Sequence, residues 1–310
     1  MGKKKSIDKK EISAVIIMGV FFVIIHGLGI LLTGTFVDAG MEAFEDPDNP
    51  MNIAYILVIM IVFTLLILLI AKFWKKKMIQ IIILGAIGYT TFYVLYPLFN
   101  LFIPPETSII SLIFSIASAA ILIWILVKYP EWYIIDISGI IVGAGAITIF
   151  GISLGITLIL ILLIILALYD AISVYKTKHM IDLADTVVDL KLPVLLVVPK
   201  IRHYSLIKET KSLKEKLKHD EERNAFFMGL GDVVMPGILV VAVYSSVENG
   251  LLLALSVILG TIVGFAVLMI FVMKGKPQAG LPCLCGGAIA SYLIASYLLF
   301  GKIVGLNMPI

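Results

Sequence analysis

The chain has 310 residues, of which 61% are hydrophobic and only 15% charged, and its formal net charge is +3. Soluble domains are about half apolar, so this composition, with a mean hydropathy of +1.10, excludes an ordinary soluble protein. The small positive charge does not indicate a nucleic-acid partner. The sequence predicts a multi-pass protein of the cell membrane, in contact with lipid.

Nine apolar runs follow one another along the chain, each of about 20 residues and so long enough to cross a bilayer as a helix. They lie near residues 13–35, 52–71, 78–99, 108–127, 133–152, 154–175, 225–246, 249–273 and 282–301. The predicted fold is therefore an all-α polytopic membrane protein with nine transmembrane helices in a single membrane domain, residues 1–310. Because the number of crossings is odd, the termini are expected on opposite sides.

Lysine and arginine fall in alternate connections, and this sets the orientation because positively charged loops stay in the cytoplasm. The basic connections are the N-terminal segment, the loop at 72–77, Lys128, the segment 176–224, and Lys274 with Lys276. The opposite connections are acidic and contain Asp38, Glu42, Glu45, Asp46, Asp48, Glu106 and Glu248. The N-terminus is predicted to be cytoplasmic and the C-terminus outside, and Lys302 alone departs from the pattern.

Six helices make up the N-terminal part of the chain, residues 1–175, and most of their polar residues have a structural interpretation. His26, in the first helix, is interpreted as a hydrogen-bonded packing residue, with a proton relay as the alternative. Asp136 lies only about two turns into the fifth helix, so its carboxyl is expected at the interface, snorkelled or capped. Cys283 and Cys285 are interpreted as small packing residues.

The sixth helix, 154–175, is apolar until it reaches Tyr169-Asp170. Asp170 is six residues short of Lys176. At about 1.5 Å per residue, it lies about 9 Å inside the cytoplasmic boundary. A charge at membrane depth costs at least ~2.5 kcal/mol, so a carboxylate there is a candidate functional group.

Residues 176–224 form a polar, mostly basic segment that is predicted to be a cytoplasmic loop. Its first part, 179–191, has the apolar periodicity of a short amphipathic helix at the interface. The apolar run from Pro193 to Pro199 is too short to span a membrane and fits a strand or an extended edge. The charged stretch 208–224 is expected to be solvated or disordered. A simple linker is the alternative interpretation.

The C-terminal part, residues 225–310, has three predicted helices, and the first carries the sequence Gly229-Leu230-Gly231-Asp232. Asp232 is expected roughly 13 Å from the cytoplasmic boundary, at nearly the depth of Asp170. Helices joined by one loop commonly pack side by side, so the two aspartates can approach each other. The two glycines leave room for another backbone or an extended substrate.

Two close carboxyls at low dielectric share a proton. One can then activate a water while the other protonates a carbonyl oxygen, as in aspartic proteases. This chemistry needs no metal or cofactor, and none is expected because the chain has no metalloprotease HExxH sequence. Two alternatives stay open: acids satisfied separately by backbone or tyrosine hydroxyls, and a cation or proton channel or transporter that uses the same pair.

The last predicted helix opens with Ala279-Gly280-Leu281-Pro282, a few residues inside the same boundary. Pro282 lacks an amide proton and Gly280 permits unusual dihedral angles, so the backbone here is not expected to form a closed helix. Free backbone groups at membrane depth require neighbouring protein or a wet cavity. The turn is therefore a candidate seat for a peptide strand.

In this order and topology, Tyr169-Asp170, the Gly-Leu-Gly-Asp sequence and the Leu281-Pro282 turn resemble the presenilin and signal peptide peptidase family, in particular its archaeal presenilin homologues. The resemblance implies that Asp170 and Asp232 are catalytic. It further implies that substrate is positioned by Tyr169, Gly229, Leu230, Gly231, Ala279, Gly280, Leu281 and Pro282. The family's Pro-Ala-Leu motif is Ala-Gly-Leu here, so its first two residues differ.

The resemblance implies an intramembrane aspartic-type endopeptidase that cuts transmembrane helices in their cytoplasmic half. Its expected partners are transmembrane-helix protein substrates and membrane lipid, without nucleic acid. The cytoplasmic N-terminus is similar to that of presenilins and opposite to that of signal peptide peptidases. The sequence leaves assembly into a homo-oligomer open.

Overall fold

The protein is described by a computed structural model that covers residues 9–73, 76–104, 108–177, 194–201, 204–206, 224–273 and 278–306. These residues form nine α-helices and two short strands. The helices are α1 (Lys9–Asp38), α2 (Met51–Phe73), α3 (Lys76–Phe102), α4 (Ser108–Lys128), α5 (Trp132–Ser153), α6 (Ile156–Ile172), α7 (Leu230–Ser246), α8 (Leu251–Met273) and α9 (Gly280–Phe300). The strands are β1 (Leu195–Pro199) and β2 (Ala225–Gly229), and a π-helical turn, Ser173–Thr177, follows α6.

Seven of the helices in the described ranges are long and apolar enough to cross a membrane. Two shorter apolar stretches, Met51–Leu66 in α2 and Leu230–Ser246, which is α7, complete the set. The outer faces expose many large apolar side chains, such as Leu31, Phe102 and Leu298, as expected for surfaces in contact with lipid. The protein is thus a mostly helical polytopic membrane protein.

The prediction of an all-α fold with a helix over 225–246 is wrong at one place. Residues Ala225–Gly229 form strand β2, and the helix begins only at Leu230. The aromatic pair Phe226-Phe227 fits a strand as well as a helix, and pairing with β1 decides between them. Gly229 keeps an extended backbone, with φ −61° and ψ 133°, immediately before the helix.

Strands β1 and β2 are antiparallel, with Leu195 opposite Gly229 and Pro199 opposite Ala225. The prediction of a strand in the apolar run after Pro193 is therefore confirmed. Two hydrogen bonds just beyond the ends of the strand pair show which backbone groups point toward the partner strand. The Lys200 N–H donates to the Asn224 carbonyl at 2.8 Å, and the Leu230 N–H donates to the Val194 carbonyl at 2.9 Å. Hydrogen-bonded pairs alternate in such a ladder, so the backbone groups of Val197 and Phe227 face away from the partner strand.

Two predicted features of the cytoplasmic segment lie outside the described residues. They are the amphipathic helix at 179–191 and the charged stretch 208–224, apart from Asn224 at its end.

Helix α7 occupies the centre of the helical bundle. It contacts α1, α5, α6, α8 and α9, and its side chains from Ile238 to Val243 are all buried. A helix that is apolar all round belongs in such a position. Close approach depends on glycine: a Cβ added at Gly151 of α5 would lie only 2.5 Å from the Val241 Cβ.

Helices α8 and α9 also pack closely, through small residues. A Cβ added at Gly287 of α9 would lie 3.2 Å from the Gly264 Cα and would collide with the Gly260 carbonyl oxygen. This packing, together with contacts of α9 to α6 and α7, holds the beginning of α9 beside the ends of both aspartate-bearing helices.

Candidate active site

Asp170 lies in the last turn of α6, on a helix that is otherwise apolar, and its side chain is only 3% exposed. Its Oδ2 accepts a hydrogen bond of 3.0 Å from the Leu281 N–H, and the Gly280 N–H also faces the carboxyl. Both amides belong to the first turn of α9, where backbone N–H groups have no partner within the helix. The positive end of this helix therefore faces the Asp170 carboxyl.

The expectation that Gly280–Pro282 would not be helical is wrong. Helix α9 begins at Gly280, after an extended Ala279 with φ −71° and ψ 125°. Pro282 is accommodated because it stands in the first turn, where an N–H would have no helical acceptor in any case. The free backbone amides that the sequence predicted at this depth are present, and they point to Asp170.

Asp232 is the third residue of α7 and is half-buried. Its Oδ2 lies 3.1 Å from the position that a Cβ on Gly280 would take, and 3.4 Å from the corresponding position on Gly229. The Asp170 and Asp232 carboxyls are close enough to repel each other electrostatically. The peptide unit Gly280-Leu281 is thus in contact with one carboxyl and adjacent to the other.

The backbone after Asp232 is supported from outside its own helix. Pro236 has no N–H, so the carbonyl of Asp232 does not accept the hydrogen bond that residue i+4 normally donates in an α-helix. His26 of α1 is fully buried, and its Nε2–H donates a 3.0 Å hydrogen bond to the carbonyl of Val233. The absence of a side chain at Gly237 makes room for the imidazole, since a Cβ there would lie 2.8 Å from His26 Nε2. The interpretation of His26 as a hydrogen-bonded packing residue is confirmed.

The other predicted site residues surround this centre at different distances. Leu230 is buried, with Cδ1 3.2 Å from the position of a Cβ on Gly143 of α5, so its side chain serves packing. Gly231 faces open space. Ala279 is buried and Pro282 half-buried, whereas the Tyr169 ring is 68% exposed. The structure brings together Asp170, Asp232, Gly229, Gly280 and Leu281, but leaves the Tyr169 ring and the Leu230 side chain outside this cluster.

A family model described as signal-peptide peptidase, presenilin aspartyl protease matches residues 18–302. The chain belongs to this family. It is similar to two solved structures, each titled as a presenilin family intramembrane aspartate protease. The structure in space group C222 is 32% identical and covers 92% of this chain and 99% of its own, with a TM-score of 0.69. The structure in space group P2 is 34% identical and covers 91% and 96%, with a TM-score of 0.67. Comparison with curated proteins finds no match.

The presenilin-family protein described here is an aspartic-type intramembrane endopeptidase with several membrane-spanning helices. The recognition made from its short motifs is therefore confirmed. The alternative of a channel or transporter finds no support in the comparisons.

Two contacts of this presenilin-family site were not predicted. Tyr175, in the π-helical turn, donates a 2.8 Å hydrogen bond to Gln278 Oε1 and so joins the end of α6 to the beginning of α9. Cys285 is fully buried one turn beyond Leu281, within electrostatic range of both aspartates. Within the described ranges, no group of three or more His, Cys, Asp or Glu side chains is placed to hold a metal ion.

Proposed function

We propose that Asp170 and Asp232 are the catalytic pair of this protease, and that it cuts transmembrane helices of other membrane proteins in their cytoplasmic half. One observation carries the assignment: α6, α7 and the first turn of α9 bring the two carboxyls to the same peptide unit, Gly280-Leu281. They are the acids of the two family motifs, and α7 and α9 are held together by packing through the centre of the bundle.

The proposed reaction is addition of water to a peptide carbonyl. Two adjacent carboxyls in a site of low dielectric hold one proton between them. The ionised group removes a proton from water as the oxygen attacks the carbonyl carbon, and the protonated group gives its proton to the carbonyl oxygen. In the collapse of the tetrahedral intermediate, the carboxyl that took the water proton gives it to the leaving nitrogen as the C–N bond breaks. The other carboxyl takes a hydroxyl proton from the intermediate, so the pair returns to its starting state.

A substrate helix must unwind before this reaction, because a helix engages its carbonyl groups in its own hydrogen bonds. Strand β2 supports a place for the unwound segment. The N–H and carbonyl of Phe227 and the N–H of Gly229 face away from β1, and no described residue forms a hydrogen bond with them, whereas the Gly229 carbonyl accepts the first bond of α7. An extended peptide can add to such an open edge, and β2 leads within three residues to Asp232.

The proposal includes the finer topology predicted from charge: nine crossings, a cytoplasmic N-terminus and a C-terminus outside. The charge asymmetry of the connections supports it. Placing 176–224 in the cytoplasm then puts β1, β2 and both aspartates near that face of the membrane.

The test uses the purified full-length protein in detergent with a single-helix membrane substrate. Wild type is expected to release fragments, and Asp170→Asn or Asp232→Asn is expected to abolish them, since the amide can neither accept nor supply the catalytic proton. Asp38→Asn, the same change at the outer end of α1, is the matched control and is expected to leave cleavage unchanged. Continued cleavage by either catalytic variant contradicts the assignment, and cation flux into liposomes without any fragments favours the channel.

A further inference from the structure

Asp136 is a third carboxylate in the helical bundle, and the proposed reaction does not use it. It lies in the second turn of α5 and is 2% exposed. Its Oδ1 accepts a 2.7 Å hydrogen bond from the N–H of Val197 in β1. Its Oδ2 has no hydrogen-bond partner among the described residues. The carboxyl is therefore hydrogen-bonded, which agrees with the predicted capped carboxylate, and it is buried within the protein.

The bond to Asp136 engages the edge of β1 that faces away from β2. Because the N–H of Val197 points outward from the strand pair, it would be left unsatisfied without an acceptor on α5. One turn further along α5, Gly139 lies under the neighbouring strand residue: a Cβ there would be 3.2 Å from Leu196 Cδ2. The same position would be 3.8 Å from Leu230 Cδ1. A single turn of α5 therefore receives both β1 and the first residue of α7.

Polar contacts at the periphery also hold β1 and the residues after it. Lys200 forms a 3.0 Å ion pair with Glu11 of α1, and its Nζ lies 4.2 Å from the centre of the Phe226 ring. Glu131 accepts hydrogen bonds from Ser205 Oγ at 2.6 Å and from the Leu206 N–H at 3.0 Å. These contacts are partly exposed, whereas the hydrogen bond that Val197, the middle residue of the strand, donates to Asp136 is buried.

We propose that Asp136 is a positioning residue of the protease, which fixes the β1–β2 pair on α5 and thereby sets the place of Asp232. The path is short. Asp136 holds Val197, β1 is paired with β2 along its length, and the Val194 carbonyl accepts the N–H of Leu230, two residues before Asp232. The inference rests on the proposed role of Asp232.

The first experiment compares two substitutions of Asp136. Asp136→Asn keeps an oxygen that accepts the Val197 N–H, so activity within about threefold of wild type is expected. Asp136→Ala removes the acceptor, and a kcat lower by on the order of 10-fold to 100-fold is expected because small displacements of reacting groups are costly. Fragment masses should also show cuts spread over neighbouring peptide bonds. Ser138→Ala is the control, because this buried hydroxyl on the same helix donates only to the Ile135 carbonyl.

A second experiment removes the donor of the same hydrogen bond, on the strand, and so tests the proposal even if Asp136→Ala does not fold. Val197→Pro removes the N–H without breaking the ladder, since that N–H faces α5 and not β2. It should reproduce the loss of kcat and the spread of cuts, and hydrogen exchange across 194–199 and 225–229 should accelerate. The double variant should be no worse than either single one.

The inference is overturned if Asp136→Ala and Val197→Pro cut at the wild-type bond with the wild-type kcat, or if Asp136→Asn loses as much activity as Asp136→Ala. Failure of the catalytic assignment has a separate signature, which is persistent cleavage by Asp232→Asn.

Discussion

Gly280 is the residue at which the two aspartates meet. Its N–H faces the Asp170 carboxyl, and the position that a Cβ would take lies 3.1 Å from Asp232 Oδ2. A residue here must offer a backbone amide to one carboxyl and leave space for the other. The family motif has alanine at this position, and the present chain has the one residue that is smaller.

Enlarging residue 280 should therefore reduce activity in proportion to size. Gly280→Ala requires the Asp232 carboxyl to move by a few tenths of an ångström, so a loss of about threefold or less is expected. Gly280→Val adds two methyl groups against the carboxyl and should lower kcat on the order of 100-fold. Gly286→Val is the matched control, because a side chain at Gly286 of the same helix meets nothing within 4 Å. Equal activities for all four proteins would contradict the described proximity.

The rate of cleavage should have a bell-shaped dependence on pH. The reaction needs one ionised and one protonated carboxyl, so activity falls when acid protonates both and when base ionises both. We expect the profile of kcat/KM to have both limbs between about pH 4 and about pH 9. The measurement is initial cleavage rate across buffers of constant ionic strength, with thermal unfolding followed in parallel to exclude denaturation. A flat profile over this range contradicts the shared proton.

At the scale of elements, the first turn of α9 combines two roles. Its backbone amides face Asp170, while the half-buried Leu281 side chain lies at the same level of the bundle. The side chains from Ala279 to Pro282 have no ionisable group, so they can place a substrate but cannot carry out the proposed proton transfers. A mutation of the Leu281 side chain should therefore affect substrate placement without removing the backbone hydrogen bond to Asp170.

Leu281→Arg should impair cleavage while leaving the fold intact. The backbone N–H to Asp170 remains, but a long charged side chain in an apolar setting should reject the substrate and raise KM by on the order of 10-fold or more. Leu281→Met, which preserves volume and polarity, is the control and should behave as wild type. Cleavage kinetics and thermal unfolding of the three proteins check this. An unchanged rate for Leu281→Arg would remove this side chain from the substrate site.

The elements also show where inference from sequence succeeds and where it stops. Apolar run length located every helix to within five residues. Counting residues from the charged ends predicted a common depth for Asp170 and Asp232, and the structure brings both carboxyls to the Gly280-Leu281 peptide unit. Contacts between residues far apart in the sequence could not be predicted. Nothing local marks Phe226-Phe227 as a strand without its partner Val197-Val198, and nothing local connects Asp136 to Val197, 61 positions away. The prediction at Pro282 was wrong because proline disrupts the interior of a helix but is tolerated in its first turn.

At the scale of the whole molecule, the site lies at one end of the bundle. Both aspartates, the strand pair and the start of α9 are grouped there, while α7 passes from them through the buried centre. In the topology that we propose, residues 176–224 are cytoplasmic and this is the cytoplasmic end. A substrate helix that meets the site should therefore be cut near its own cytoplasmic boundary.

The cut position and the orientation of substrates test this arrangement. Cuts should cluster in the cytoplasmic half of the substrate helix, and substrates whose N-termini face outside should be preferred, as the resemblance to presenilins implies. Glycine placed near the cytoplasmic end should favour cleavage because it eases unwinding by roughly 1 kcal/mol relative to alanine. Mass spectrometry of fragments from a substrate and its reversed-orientation counterpart decides the matter. Cuts near the outer face, or preference for the reversed substrate, would contradict it.

The pairing of β1 with β2 bears on whether the chain must be covalently continuous. Strand β1 and Asp170 precede residues 207–223, and strand β2 and Asp232 follow them. Every described contact between these two parts of the chain is non-covalent. A specific cleavage sequence inserted within 207–223 and then cut should give two polypeptides that elute together from a sizing column and still process substrate. The apolar helix contacts within the membrane and the β1–β2 pairing would then hold the two polypeptides together without a covalent link.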